Sequence, residues 1–373
     1  MLIGVPKEIK NHEYRVGLTT SSVRELTYYG HSVMVQKSAG SGIGISDADY
    51  IKAGAQIVPT AEEIFAKAEM IVKVKEPQSD ECKMLRPGQI LFTYLHLAPD
   101  LPQTKALIDS GCIAIAYETV TDPRGGLPLL APMSEVAGRM SIQAGMHCLE
   151  KAQGGRGILL SGVPGVAAAH VVILGGGVVG TNAARMAMGL EANVTVIDKS
   201  LRRLQELDQQ FGPSLHTIYA TLDAIEEHVV NADLVIGAVL VPGGAAPRLV
   251  TREMISKMKP GAVIVDVAID QGGCVEGAKA TTHADPTYKI DDVILYCVAN
   301  MPGAVARTST FALNNATLPF TLALAQKGWK QALRDDEHLR NGLNVCEGKV
   351  TYKAVAAIHQ LSYVSATDII SNY

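Results

Sequence analysis

Aromatic residues are scarce, at 5% of a 373-residue chain that carries 35 glycines. This combination disfavours a β-sandwich or barrel and favours an α/β protein with many tight strand-to-helix turns. The chain has no basic tract, and its net charge is −4, which argues against nucleic acid as the main partner. Six cysteines, at 82, 112, 148, 274, 297 and 346, show no C-x-x-C spacing. A zinc site is therefore not expected, no other metal is read, and no disulfide framework is suggested. The N-terminus, MLIGVPKEIK, lacks a charged leader, a long apolar core and a cleavage site. It is not read as a signal peptide, and the expected compartment is the cytoplasm. Residues 157–180 hold no Asp, Glu, Lys or Arg, but seven glycines and a proline interrupt them. Breakers that dense would strand backbone groups in lipid, so no membrane span is expected.

The length exceeds the ~250–300 residues at which one core stops growing, so two domains are expected. Hydrophobic residues make up 47% and charged residues 19%, ordinary for buried parallel strands. Strands are predicted at 2–6, 32–37, 70–75, 90–96 and 113–118. Helices are predicted at 19–30, with Thr20 or Ser21 as N-cap, and at 61–68. The middle holds a helical candidate at 134–152, a strand in 170–180, a helix at about 181–190 and a strand at 193–198. An amphipathic helix at 201–211 and strands at 232–240, 262–270 and 293–301 follow. Such alternation implies mostly parallel sheets. After about 305 the text turns helical again, at 311–329 and 353–361, with too little strand to stand alone. No internal repeat is visible. The expected architecture is α/β. A Rossmann dinucleotide-binding domain (131–304) joins a discontinuous, Rossmann-like substrate domain (1–130 and 305–373).

The sharpest local signal is VVILGGGVVG. Gly175, Gly177 and Gly180 fit G-x-G-x-x-G between an apolar strand and a helix. In such a site the first glycine permits the turn, the second admits the pyrophosphate and the third lets helix and strand pack closely. Asp198 ends the next strand, where a carboxylate can accept hydrogen bonds from ribose hydroxyls. It would also repel a 2′-phosphate, which favours NAD over NADP. Arg202 and Arg203, close by, weaken that preference.

Several segments together are similar to the bacterial alanine dehydrogenases. They include GVPKEIKNHEYRVGLT (4–19), IVKVKEPQ (71–78), LFTYLHLA (91–98), APMSEVAGRMS (131–141), MKPGAVIVDVAIDQGG (258–273) and VANMPGAV (298–305). The resemblance runs in order along nearly the whole chain. It implies that Arg15 and Lys75 bind the substrate carboxylate, with Lys73 a rival that composition alone does not exclude. It implies that His96 is the catalytic acid/base and Asp270 the second catalytic residue, Asp266 being the decoy deeper in the strand. Ser134, Val178, Val179, Arg203, Val239, Leu240, Val267, Ala268, Ile269, Val298, Ala299, Asn300 and Met301 join the glycine turn and Asp198 at the family's NAD contacts. Ala220 and Lys279 also fall at contact positions, but the family commonly has serine and arginine there.

The implied activity is reversible, NAD-dependent deamination of L-alanine to pyruvate and ammonia. The implied assembly is a homo-hexamer, with the long helix at 134–152 a candidate for pairing to a second copy. The active site is expected between the two domains, which would close on NAD. Three rivals remain: a dehydrogenase for another amino acid or opine, a NAD-binding transhydrogenase-type subunit, and a NAD-binding protein without catalysis.

Overall fold

A strand covered by helices on both faces has no polar side, so its sequence is apolar throughout. LIGV, MIV, IAIA, LVIG and VILY meet that condition, VIVD departs from it only at its last residue, Asp266, and all six become strands in the computed structural model, which describes residues 1–239 and 246–371. The chain divides into two compact units, 1–133 with 305–373, and 134–304. Leu240 lies outside the described residues.

The first unit holds an eight-stranded sheet. From one edge its strands are Lys349–Val350, Leu343–Cys346, Ile113–Ala116, Ile90–Thr93, Met70–Val72, Leu2–Val5, Ser32–Gln36 and Gln56–Val58. The pairs from Ile113–Ala116 to Gln56–Val58 are parallel, and the last two strands of the chain add on antiparallel. The second unit holds a seven-stranded sheet in the order Thr287–Ile290, Val293–Tyr296, Val263–Asp266, Leu234–Gly237, His170–Leu174, Asn193–Asp198 and Leu215–Tyr219. Only the Thr287–Ile290 edge is antiparallel. In both sheets the first strand of the unit sits inside, the unit's second and third strands lie on one side of it, and its fourth, fifth and sixth lie on the other. This is the doubly wound order, and it places a topological switch point beside the first strand of each unit. Neither unit repeats the other in sequence, yet both follow one topology.

Several strands end earlier than the sequence expectations. The strand expected at 70–75 stops at Val72, that at 90–96 at Thr93, and that at 262–270 at Asp266. Asp270 therefore stands in the 3-10 turn Val267–Gln271, and Asp266 ends the strand. Helices start earlier: Ala131–Cys148 instead of 134–152, Val178–Gly189 instead of 181–190, and Ala306–Asp335 where 311 was expected. The last of these is broken by non-helical geometry at Gly328. The N-cap of the first helix is Thr19, not Thr20 or Ser21; its side chain accepts from Ser22 N at 3.3 Å. Residues 157–180 form turns, a strand and a helix start. No helix among the described residues is long and apolar enough to cross a membrane.

The C-terminal segment is tied to the start of the chain by Asn314, only 2% exposed. Its Oδ1 accepts from Thr19 N at 2.8 Å and Ser22 Oγ at 2.9 Å, and its Nδ2 donates to Gly17 O at 3.1 Å. Asn314→Leu strands these buried partners, at about 1–3 kcal/mol for each group left unpaired. We expect a stability loss of at least about 3 kcal/mol, read as a lower urea midpoint. An unchanged midpoint would show that the tail is held without Asn314.

Candidate functional site

Ligands of doubly wound sheets gather outside the carboxyl ends of the strands, at the switch point. In the first unit three such loops carry charge. Residues 6–19 follow Leu2–Val5, residues 73–78 follow Met70–Val72, and Tyr94 onward follows Ile90–Thr93. They hold Arg15, Lys75 and His96, in that order.

Arg15 is 2% exposed. Its Nε and Nη2 donate to the two oxygens of Glu13 at 2.6 Å each, and its Nη1 reaches Met133 Sδ at 3.1 Å. Burial works against its charge, but Glu13 outweighs burial and holds the guanidinium above its ordinary value. One edge of the guanidinium fork is therefore already used.

Lys75 is half-buried, and no residue among those described accepts a hydrogen bond from or pairs with its ammonium. Its pKa is pushed below the ordinary lysine value, by burial first and by Arg15 and Lys10 next, against the pull of Glu76. Lys73, the rival candidate, does not share its surroundings. The strand has ended, and Lys73 is wholly buried between Glu8 and Glu81 at 3.1 and 2.7 Å. Glu76 pairs with Lys10 through one oxygen, while its other oxygen is buried without a partner among the described residues. Burial opposes its ionisation, yet Lys75, Lys10 and His96 hold its carboxyl below the ordinary range.

His96 has φ +50°, a left-handed conformation that costs a non-glycine residue on the order of 1 kcal/mol or more. Glu118 sustains it. Its Oε1 accepts from His96 N at 2.7 Å and Leu95 N at 3.1 Å. The imidazole stacks on Tyr94 at 5.7 Å between ring centres and 10° between planes, and Tyr94 donates from its hydroxyl to Leu129 O at 2.5 Å.

In the second unit the glycine turn lies at the switch point. Gly175 has φ +101°, and a Cβ there would meet Ala238 O at 2.8 Å. A Cβ on Gly180 would stand 1.8 Å from Gly175 O, so strand and helix approach only through glycine. Nothing lies within 4 Å of a Cβ built on Gly177, and no side chain caps the helix that opens at Val178. Val178 is exposed and Val179 half-buried. These open amides at a helix N-terminus fit a dinucleotide pyrophosphate. Asp198 accepts from Gly176 N at 2.6 Å and Ser200 N at 2.8 Å, leaving lone pairs for ribose hydroxyls. Arg203 braces the turn, donating to Gly176 O and Thr181 Oγ1 at 2.6 Å each, and it pairs with Glu206. Arg202 also pairs with Glu206 and is otherwise exposed.

The remaining sequence candidates in this unit follow other strands. Ala220 succeeds Leu215–Tyr219, and half-buried Val239 succeeds Leu234–Gly237. Val267, Ala268, Ile269 and Asp270 succeed Val263–Asp266, with Asp270 exposed. Val298, Ala299, Asn300 and Met301 succeed Val293–Tyr296, and Asn300 O meets His283 Nε2 at 2.7 Å. Half-buried Ser134 lies in the first turn of Ala131–Cys148. Lys279 is exposed in a loop, its N–H donating to Tyr288 OH at 2.7 Å. His147 is exposed beside Glu150.

Sequence reasoning missed the carboxylates that hold these loops: Glu8, Glu13, Glu76, Glu81 and Glu118. Glu13 precedes Arg15 by two residues and Glu81 follows Gln78 by three, and both are local signals; Glu8, Glu76 and Glu118 reach Val74, Lys10 and His96 across the fold. Asp266, read as a decoy, accepts from Ala268 N at 3.1 Å and Cys274 N at 3.0 Å and so closes the turn that bears Asp270.

Comparison with known proteins agrees with this arrangement. Residues 4–137 match the alanine dehydrogenase/PNT N-terminal domain, and residues 141–353 match the C-terminal domain. The chain is 63% identical over 370 residues to an alanine dehydrogenase of Halomonas elongata, covering 99% of this chain and all of that one. It is 54% identical to the alanine dehydrogenase of Mycolicibacterium smegmatis, over the full length of both. A solved L-alanine dehydrogenase superposes with TM-score 0.93 at 52% identity, covering 96% of this chain and 99% of the other. A solved transhydrogenase from Sinorhizobium meliloti superposes with TM-score 0.81 at 26% identity, covering 95% and 100%.

An ammonium attracts an anion only while protonated, so any carboxylate affinity that Lys75 supplies is full at lower pH and falls as pH rises through its depressed pKa. We expect oxalate affinity to decline before the ordinary lysine range is reached. Lys75→Arg, charged throughout, should flatten that decline in a titration across alkaline pH. The same decline in both proteins would assign it to another group.

Proposed function

The chain belongs to the alanine dehydrogenase/PNT family, and on that premise we propose that it is an NAD-dependent L-alanine dehydrogenase. It converts L-alanine reversibly to pyruvate and ammonia. The observation that carries the reading is the group of Arg15, Lys75 and His96 on one sheet rim, with a lysine ammonium that no described residue engages. A subunit that only passes hydride between two nucleotides has no need of such a carboxylate-binding pair. The transhydrogenase likeness, at 26% identity, is also far weaker than the 63% to a full-length alanine dehydrogenase.

Arg15 and Lys75 bind the substrate carboxylate. When bound, the nicotinamide supplies the hydride acceptor. Loss of that hydride and a proton leaves iminopyruvate. His96 then takes a proton from water as it adds to the imine carbon. It returns that proton to nitrogen and takes the hydroxyl proton as the carbinolamine collapses to pyruvate and ammonia, a task suited to an imidazole because the ordinary pKa of that group, ~6.5, lets it take and give protons near neutrality. Asp270 steers the amino group, and the charges of Arg15, Lys75 and protonated His96 stabilise the developing oxygen charge.

The glycine turn and Asp198 hold the cofactor, with Ser134, Val178, Val179, Val239, Val267 to Asp270 and Val298 to Met301 around it. NAD is the assigned form. Arg203 is occupied at Gly176 O and Thr181, and both Arg202 and Arg203 pair with Glu206, so neither is disposed to greet a 2′-phosphate. Ala220 offers no hydroxyl near the adenosine. Lys279 keeps a charge without the guanidinium fork. By the same family likeness we place the enzyme in the cytoplasm as a homo-hexamer.

Purified protein should reduce NAD with L-alanine in preference to other amino acids. His96→Ala should keep NADH binding and lose roughly 10²–10⁴-fold in turnover. His147→Ala is the control and should stay near wild type. Absence of L-alanine-dependent NADH formation in the wild type would sink the proposal, and a His96→Ala protein with more than about a tenth of its turnover would remove His96 from the chemistry.

Asp198→Ser removes both the ribose acceptor and the repulsion of a phosphate. NAD affinity should fall more than about tenfold while NADP use improves. An unchanged preference in a comparison of the two cofactors would place specificity elsewhere.

A further inference from the structure

Lys73 is fully buried, as are Glu8 and Glu81 beside it. Its ammonium donates to Glu8 Oε2 at 3.1 Å and Glu81 Oε1 at 2.7 Å. Burial opposes that charge, but the two carboxylates outweigh it and raise the lysine pKa. The second oxygen of each carboxylate turns to the backbone. Glu8 Oε1 accepts from Val74 N at 2.7 Å and Lys75 N at 3.3 Å, and Glu81 Oε2 accepts from Gln78 N at 2.8 Å. One cation thus joins two anions that grasp the chain on either side of Lys75-Glu76-Pro77. Thr93 Oγ1 completes the grip by donating to Lys75 O at 2.9 Å.

Burying three charges is a poor route to stability, because apolar residues of similar volume often serve as well or better. What such a cluster does supply is fixed geometry. The Lys75 side chain is long and has no partner of its own among the described residues, so its aim depends on its backbone. We infer that Lys73, Glu8 and Glu81 form a positioning clamp that fixes the segment 74–78 so that the Lys75 ammonium meets the substrate carboxylate. The identity of that substrate rests on the alanine dehydrogenase reading; the clamp itself rests on the hydrogen bonds.

Glu8→Gln tests it. The amide can offer its oxygen to the backbone N–H groups or to the Lys73 ammonium, but not to both, so one link of the clamp opens. We expect the KM for pyruvate to rise roughly tenfold, the worth of one charge-assisted hydrogen bond, with the KM for NADH unchanged. Hydrogen exchange at the Val74 and Lys75 amides should accelerate. In a Lys75→Ala background the same substitution should add nothing to the pyruvate KM, since the clamp acts through Lys75. A merely structural role would lower the active fraction and the unfolding midpoint but leave KM alone. The inference is overturned by a pyruvate KM within about twofold of wild type, or by an equal rise in both backgrounds. Unchanged amide exchange overturns it as well. If Glu8→Gln does not fold, Glu81→Gln opens the other arm and is read at the Gln78 amide. Were the wild type to turn over neither alanine nor pyruvate, the substrate reading would fail, and the exchange rates alone would decide the clamp.

Discussion

Loops at the carboxyl ends of a parallel sheet begin where the ladder stops, so their first backbone N–H groups need acceptors. This protein supplies them with carboxylates. Glu8 takes the N–H groups of Val74 and Lys75, and Glu118 those of Leu95 and His96. Asp198 takes those of Gly176 and Ser200, and Asp266 those of Ala268 and Cys274. Hydrogen bonds to a charged acceptor are worth about 1.5–3 kcal/mol each, roughly twice a neutral one. Every loop held this way bears or adjoins a residue assigned to substrate, proton transfer or cofactor. The left-handed His96 shows what the device can sustain: its strain persists because Glu118 fixes the peptide on its N-terminal side.

The device also shapes the charge of the site. Carboxylates committed to backbone N–H groups or to ion pairs are poorly placed to quench nearby cations. Glu8 is shared between Lys73 and two amides, and Glu13 is spent on one edge of Arg15. Lys75 is left depressed in pKa, its ammonium unengaged among the described residues. A cation kept in that condition gains most from an incoming carboxylate, because the anion relieves both the desolvation and the repulsion from Arg15.

The sequence made the cofactor turn legible because three glycines, a strand, a helix and an acid stand in a fixed local order. It made strand ends illegible for a physical reason. Val74, Leu95 and Ile269 lie beyond the last ladder pair yet are buried, at 0%, 0% and 6% exposure. Apolar text therefore runs on past the strand into the loops that line the rim, and the expected strand overshoots to Asp270. The antiparallel additions Leu343–Cys346 and Lys349–Val350 were missed because they are short, and the first carries a buried Asn344 that breaks the apolar pattern. The carboxylate partners were invisible for a different reason. Glu8 and Lys73 are 65 residues apart, Glu118 and His96 are 22 apart, and no local period links them.

One topology used twice presents two different rims, and the length of a single loop makes the difference. In the second unit only Gly175 to Gly177 separate the first strand from its helix. The helix N-terminus then stands at the rim, its amides uncapped by any side chain, and suits a diffuse polyanion such as a pyrophosphate. In the first unit residues 6–19 fill the same interval, and the following helix is capped by Thr19. Its N-terminus is no longer offered to a ligand. The longer loop has room instead for Glu8, Glu13 and Arg15, which place one guanidinium edge with direction. A pyrophosphate can be held by a dipole end and many amides, but a small carboxylate must be held at a fixed angle for its neighbouring carbon to react. The second task needs side chains with their own supports, and the loop that supplies Arg15 also supplies Glu8 to hold the backbone of Lys75.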